Sequence, residues 1–229
     1  MKRARRTRGW LWRIARGCVL AVVALYACCA VLLLLLRWVD PPLTAVHVQR
    51  RVEALLGHER YRKRYVFVPI GRISTDLQHA VIAAEDGRFY QHHGIDWQEL
   101  RKVVADDIEK GRVSRGASTI TQQLVKNLFF TTHRNPLRKV LEFTVAPMAE
   151  ALLPKKRILE LYLNVIEWGT GIYGVEAAAR NYYGVPASRL GREQSARLAA
   201  VIPSPLRWKP AGMDNYSAEI LWRMGKMGW

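Results

Sequence analysis

Two neighbouring runs decide how this chain is read: Ala84-Glu85-Asp86-Gly87-Arg88-Phe89-Tyr90-Gln91-His92-His93-Gly94, and Gly116-Ala117-Ser118-Thr119-Ile120-Thr121-Gln122-Gln123-Leu124-Val125-Lys126-Asn127. Leu77, Val81, Ile82, Ala84 and Phe89 recur at helical spacing, which predicts a helix from about Thr75. Glu85 follows Val81 and Ile82 by four and three positions and precedes Phe89 by four, so its carboxylate projects from a mostly apolar face. A carboxylate there loses solvation, its pKa is expected to rise, and it becomes able to exchange a proton near neutral pH. Asp86 points about 100° further round the helix, so the two acids need not share an environment. The plainer alternative is that both acids simply end a helix at the surface.

The second run follows a Gly/Ser/Arg loop at residues 111–116 and offers Ser118 or Thr119 as the N-cap of a helix reaching about Phe129. A glycine-bearing loop feeding a helix start leaves backbone N–H groups free and suits an anion such as a phosphate. Ile120, Leu124 and Leu128 form the buried stripe of that helix, and Thr119, Gln122, Gln123 and Lys126 fall largely on other faces. Amide donors with one lysine suit a sugar or a diphosphate better than a packed core.

With these residues in view, the chain resembles the peptidoglycan glycosyltransferases, a family of monofunctional biosynthetic transglycosylases and the glycosyltransferase domains of class A penicillin-binding proteins. Glu85-Asp86-x-x-Phe89-x-x-His92-x-Gly94 resembles the first motif, and Gly116-x-Ser118-Thr119-Ile120-x-Gln122-Gln123-Leu124-x-Lys126-Asn127 the second. Arg138-Lys139-x-x-Glu142 is similar to the third, and Lys156-x-Ile158-Leu159-Glu160-x-Tyr162-Leu163-Asn164 to the fourth. Gly171-x-x-Gly174-x-x-x-Ala178-x-x-x-Tyr182-Tyr183-Gly184 is similar to the fifth. Five motifs in order, over roughly residues 72–210, make a specific signal.

The resemblance implies a mainly α fold: a single N-terminal transmembrane helix and a two-lobed domain with a lysozyme-like head and a smaller membrane-embedded jaw. The implied substrate is lipid II, polymerised into β-1,4 glycan strands with inversion at the donor anomeric carbon. Glu85 would be the general base and Glu142 the second functional carboxylate, orienting cations or the leaving group's metal. Ser118, Thr119, Gln122, Gln123, Lys126, Arg134, Arg138 and Lys139 would bind substrate, chiefly its diphosphate. Asp86, Phe89, His92, Gly94, Asn127, Glu160, Asn164 and Gly174 would support the site. No cofactor is required by the sequence. A divalent cation, Mg2+ or Mn2+, would come with the substrate diphosphate, since no protein cage for one is evident.

The start of the chain declares a membrane. Residues 1–16 carry seven Lys or Arg and no acid, and residues 17–36 carry no charge at all. Twenty helical residues at ~1.5 Å each cover a hydrocarbon core of ~30 Å. The basic flank predicts a cytoplasmic N-terminus and an exported remainder, and the resemblance implies the bacterial inner membrane and periplasm. A cleaved signal peptide has a shorter apolar run and a small-x-small site, both missing here. Leu25-Tyr26-Ala27-Cys28 faintly resembles a lipidation site, but membrane-length apolar sequence continues beyond it. Trp10, Trp12 and Trp38 flank the run as interface aromatics do.

All three cysteines, Cys18, Cys28 and Cys29, lie in that run, so disulfides and cysteine metal sites are excluded from the exported part. The net charge is +17, and beyond the apolar run 29 basic residues still face 19 acids. Such a surface suits anionic headgroups and diphosphates; nucleic acid, the other reading of a basic protein, is rarely met by an exported domain. The domains expected are a basic tail at 1–16, the span at 17–36, a juxtamembrane linker or jaw segment at 37–71, and the catalytic domain at 72–229. Partners expected are lipid II, the growing glycan strand, membrane lipids, and other cell-wall synthesis or division proteins. No transpeptidase domain is expected after Trp229, and hence no penicillin binding.

Further elements follow. Pro41-Pro42 breaks a continuing helix, residues 43–57 read as an amphipathic helix, and the apolar residues 65–70 as a strand or a segment entering the bilayer. Asp96-Trp97-Gln98-Glu99 is a capping box, and Asn135-Pro136 starts a helix with Leu137, Val140, Leu141, Thr144, Val145 and Met148 on its buried side. Pro147 inside it predicts a kink or a break. Arg138 and Glu142 stand at i,i+4, as a surface salt bridge would. Glu160 and Asn164 are expected to brace the site from behind, and the last helix, near 218–227, to be peripheral.

Gly169-x-Gly171-x-x-Gly174 has the wrong spacing for a nucleotide loop, and helix packing through Gly174, Ala177 and Ala178 accounts for it better. His92-His93 lacks the partners of a zinc site. Two other functions stay open: a lytic, lysozyme-like enzyme using Glu85 as general acid, and a non-enzymatic scaffold of a wall-assembly complex. The cation set argues against the first, and the intact motifs against the second.

Overall fold

The computed structural model describes residues 2–58, 60–111, 116–133 and 135–229, with side chains from Trp10 onward, Leu11 excepted. Among them the chain is mainly helical, with ten α-helices and one small three-stranded sheet. The first helix, α1 (Lys2–Leu35), contains an apolar span at Trp12–Leu35 with a mean hydropathy of 2.9, compatible with a membrane anchor. Only Cys29, Leu33 and Leu36 of this region are buried by the rest of the chain, on the side facing α6 (Pro136–Leu152). Arg157 fastens the end of α1: Nε donates to the carbonyl of Leu36 at 2.8 Å and Nη2 to that of Val39 at 2.9 Å. A cation there satisfies terminal carbonyls and complements the negative end of the helix.

The core is built on α3 (Thr75–Glu85), α5 (Ile120–Phe129) and α7 (Lys155–Val165), covered by α9 (Arg192–Ala199) and α10 (Asp214–Lys226). Leu77, Val81 and Ile82 of α3, Ile120 and Leu124 of α5, and Ile158, Leu159, Tyr162 and Leu163 of α7 are all buried. Each such side chain contributes about 1.5–3 kcal/mol on leaving water. The apolar periodicities of α3, α5 and α7 thus lie where the sequence puts them.

One expectation is corrected and two open readings are narrowed. In α6 the buried residues are Glu142, Val145, Ala146 and Ala149, while Leu137, Val140 and Thr144 are exposed. The stripe is rotated because α6 faces two apolar surroundings: its core neighbours, and α1, where Tyr26 Oη bonds Thr144 Oγ1 at 2.5 Å. Periodicity alone does not separate them. Of the kink or break expected at Pro147, the break does not occur: α6 continues through this exposed residue. Gly94, at φ +90°, packs against this turn, and a Cβ there would stand 2.8–2.9 Å from the backbone of Ala146 and Pro147. Of the apolar residues 65–70, Val68 and Ile70 are buried inside the protein and Val66 is exposed. Asn164 Oδ1 accepts from the Val68 N–H and its Nδ2 donates to the Val68 carbonyl, both at 2.9 Å. Glu160 accepts from the Ile70 N–H at 2.6 Å. Glu160 and Asn164 therefore fasten this segment to α7, and reach the site only indirectly.

The sheet joins β1 (Arg64–Tyr65), β2 (Glu167–Gly169) and β3 (Ile172–Tyr173) in the order β1-β3-β2. The glycine run at 169–174 is thus an antiparallel hairpin leading into α8 (Val175–Tyr183). Gly174, at φ +78°, leaves no room for a Cβ, which would lie 2.5 Å from the Asn164 carbonyl oxygen. The amphipathic α2 (Ala45–Leu56) docks through His47, edge-on to Tyr65 and Tyr173 with ring centroids 5.1 and 4.2 Å away.

Candidate active site

The two adjacent acids have opposite fates. Asp86, one residue past α3, is buried and spent on structure: its Oδ2 accepts from the Ile120 N–H at 2.9 Å, and His92 Nε2 donates to Oδ1 at 2.9 Å. The start of α5 is therefore occupied by the protein's own carboxylate. Thr119 Oγ1 also accepts from Gln122 N, and Gln122 Oε1 accepts from Thr119 N, in a reciprocal capping box. At that terminus the Ile120 and Gln122 N–H groups are thus bonded within the protein. Thr119 and Gln122 are both buried and shape the loop, and Thr119 Oγ1 donates onward to the Gly94 carbonyl at 2.6 Å.

Glu85, the last residue of α3, is half-buried and looks into open space. Gln123 Nε2 donates to Glu85 Oε2 at 2.7 Å, and the Tyr162 hydroxyl donates to Gln123 Oε1 at 2.8 Å. Burial, with Glu85 and Asp86 nearby, raises the Tyr162 pKa well above that of an ordinary phenol. Tyr162 therefore keeps its proton and stays a donor, which fixes the Gln123 amide with its NH2 toward Glu85. Tyr162 is fully buried on the stripe of α7, so periodicity marks it as core and gives no sign of this relay.

Two cavities meet at Glu85. The first, about 710 Å3, is walled by Gln123, Lys126, Arg138, Lys139 and Glu142. Glu142 is buried and holds two cations: Arg138 Nη1 lies 2.8 Å from Oε1 and Lys139 Nζ 3.4 Å from Oε2. The i,i+4 pair is thus present, but in a cavity wall instead of on a solvated surface. Lys139 also donates to Ser118 Oγ at 2.8 Å. Burial lowers the Lys126 pKa; Glu142 pulls it back up and Arg138 adds to the lowering. Asn127 turns inward, its Nδ2 donating to the Gln123 carbonyl at 2.8 Å. Phe89 is fully buried under Lys155, whose Nζ stands 4.4 Å from the ring centroid. Arg134 lies outside the described residues.

The second cavity, about 720 Å3, shares Glu85, Gly116, Ser118 and Pro203 with the first and is otherwise lined by Trp208, Met213, Tyr216 and Glu219 among others. These come from the turn before α10 and from α10 itself, which packs on α3 and α9. The helix expected to be peripheral therefore forms one wall of the site. No motif signals these residues; their aromatic content is the one trace in the sequence.

The arrangement is a half-buried carboxylate with a fixed amide donor, a basic cavity on one side and an aromatic one on the other. A carboxylate facing a cluster of cations across one cavity is an arrangement that suits glycosyl transfer. The match of residues 51–227 to the transglycosylase family model shows that the chain belongs to that family. It is 46% identical over 169 residues to the biosynthetic peptidoglycan transglycosylase of Laribacter hongkongensis, covering 74% of each chain. It is 43% identical over 215 residues to the protein of that name from Caulobacter vibrioides, covering 93% of this chain and 91% of the relative. The likeness to the Dechloromonas aromatica protein of the same name is 45% over 195 residues.

Proposed function

We propose that this chain polymerises lipid II into β-1,4-linked glycan strands of peptidoglycan, releasing undecaprenyl diphosphate at the outer face of the bacterial cytoplasmic membrane. The observation that carries the reading is the cavity in which Glu85 faces Lys126, Arg138 and Lys139 across one open space. In the proposed step Glu85 takes the proton from the acceptor's 4-hydroxyl. The freed oxygen attacks the donor's anomeric carbon from the face opposite the diphosphate, and the carbon–oxygen bond to the diphosphate breaks with inversion. The leaving diphosphate gains one negative charge, and the three cations are positioned to meet it. Glu142 holds Arg138 and Lys139 in place and keeps that charge fixed before substrate arrives. Glu85 then returns its proton to solvent. A divalent cation carried by the diphosphate would add to the same charge set.

The membrane side of the reading is supported by α1: a basic flank, an apolar span and an end fastened by Arg157 suit an enzyme that takes a lipid-linked substrate from a bilayer. A lytic enzyme needs no diphosphate clamp, and the cation-lined wall speaks against one. The test is polymerisation of fluorescent lipid II by the full chain in detergent. Wild type yields glycan ladders, and Glu85→Gln loses at least ~10²-fold, as expected for a lost general base. Clearing of purified sacculi with no polymer formed would overturn the reading in favour of hydrolysis.

A further inference from the structure

Gln49 lies on α2, 83 residues before the loop it bonds, and belongs to none of the motifs quoted above. A polar side chain buried as deeply as this one is costly unless its amide atoms are bonded. Gln49 Oε1 accepts from the Thr132 N–H at 2.7 Å. Its Nε2 donates to Thr132 Oγ1 at 2.8 Å and to Glu53 Oε1 at 2.6 Å. Chemistry fixes which way the amide points, because a backbone N–H only donates and a carboxylate only accepts.

The Glu53 end of this clamp is anchored in turn. Arg50 Nη1 donates to Glu53 Oε2 at 2.8 Å, and Arg50 Nε donates to Glu167 Oε2 at 3.0 Å. Glu167 is buried on β2, where the Tyr173 hydroxyl donates to its other oxygen at 3.3 Å. Gln49 is therefore braced against the sheet through two charged residues, and its Oε1 is held out to the loop.

The loop end leads to the basic cavity, whose wall includes Thr132 beside Lys126, Arg138 and Lys139. The Thr132 N–H and the Thr131 carbonyl belong to one peptide group, which is planar, so fixing one fixes the other. That carbonyl accepts from Arg138 Nη1 at 3.3 Å. The same nitrogen lies 2.8 Å from Glu142 Oε1, and Arg138 Nε is buried with no partner among the described residues. Glu142 thus supplies the charge that holds this guanidinium, and the Thr131 carbonyl supplies a direction. Once Gln49 releases the N–H, the peptide is free to rotate and its carbonyl turns away from Arg138.

We propose that Gln49 is a positioning residue for glycosyl transfer: by holding the Thr131–Thr132 peptide it sets the place of the Arg138 guanidinium in the cavity wall. The inference rests on the glycosyl-transfer reading and adds to it a residue that does not line the cavity. A cation placed before substrate arrives needs no reorganisation when charge develops on the leaving group.

The test measures polymerisation of fluorescent lipid II by the full chain in detergent, with Tm recorded for every variant. Gln49→Met, which keeps length and helix propensity, should lower kcat about tenfold with KM nearly unchanged. In an Arg138→Met background the same substitution should lower kcat less than about twofold further, because the residue it acts through is already gone. Gln49→Glu combined with Glu53→Gln keeps an acceptor facing the Thr132 N–H and should restore most of the lost rate. A clamp that only fastens α2 to the loop predicts a lower Tm with kcat unchanged, and that result would overturn the proposal. So would an equal fold-loss in both backgrounds, which would place the effect of Gln49 elsewhere than Arg138. Absence of polymer from folded wild type would instead bring down the glycosyl-transfer reading, and this inference with it.

Discussion

The two cavities that meet at Glu85 have nearly the same volume, about 710 and 720 Å3, and opposite chemistry. One concentrates Lys126, Arg138 and Lys139 around Glu142; the other presents Trp208, Met213 and Tyr216. Charged groups in the first are positioned by other charged groups, so losing one disturbs the rest. Aromatic rings in the second offer flat, apolar faces of the kind a sugar ring lies on, and each acts more nearly alone. Under the proposed function this difference divides chemistry and recognition between two walls, with Glu85 on their boundary. If that is right, substitutions in the first cavity should lower kcat and those in the second should raise KM.

The largest effect is expected at Lys126. Lys126→Met should cost roughly 10²–10³-fold in kcat, the scale of one lost electrostatic donor in a preorganised site. Its lowered pKa gives a sharper test. Lys126 acts as a cation, so kcat/KM in wild type should fall as pH rises through that lowered value, at a pH below that of an ordinary lysine. Lys126→Arg, whose guanidinium stays charged, should move that alkaline limb upward. An unchanged limb would show that another group sets it. Next comes Gly94, which spaces the Glu85 loop from α6. Gly94→Ala at φ +90°, against backbone less than 3 Å away, should cost about 2–3 kcal/mol in stability, read as a lower Tm.

How much of this was legible in the sequence follows the same division. The apolar stripes of α3, α5 and α7 were readable because each helix has one apolar neighbour, the core. That of α6 was misjudged because α1 offers a second one. In the first cavity, Lys126, Arg138, Lys139 and Glu142 line one wall; the resemblance named them together, whereas the spacing of Arg138 and Glu142 alone reads as a surface salt bridge. Thr119 and Gln122 bond each other's backbone in a capping box, and in sequence a polar side chain that does so looks the same as one that bonds a ligand. The second cavity was unreadable: its residues come from a turn and a helix end brought to Glu85 only by the packing of α10 on α3.

The second cavity therefore carries the next prediction. Trp208 is about one-third exposed, so its ring is available to a ligand at modest cost to the core. Trp208→Ala should raise KM for lipid II about tenfold, as one lost aromatic contact of about 1.4 kcal/mol would, with kcat nearly unchanged. An equal fall in kcat would break the division between the two walls, because it would place that ring in the transition state.

The smallest effect is expected at Tyr162, and it bears most closely on how Glu85 is tuned. Tyr162→Phe removes only the hydroxyl that donates to Gln123 Oε1. The Gln123 amide is then free to rotate, and Glu85 loses, for part of the time, the Nε2 donor 2.7 Å away. A hydrogen bond to the carboxylate favours its charged form, so weakening it raises the pKa of Glu85. A general base works only when deprotonated, so the acid limb of the pH profile of kcat/KM should move to higher pH, with a loss of only a few-fold at its plateau. Gln123→Glu, which replaces the donor with an acid, should move the limb further the same way. A merely structural role for Tyr162 predicts a lower Tm and a lower rate with the limb in place. A limb that stays put would therefore detach Tyr162 from Glu85, and the relay would reduce to core packing.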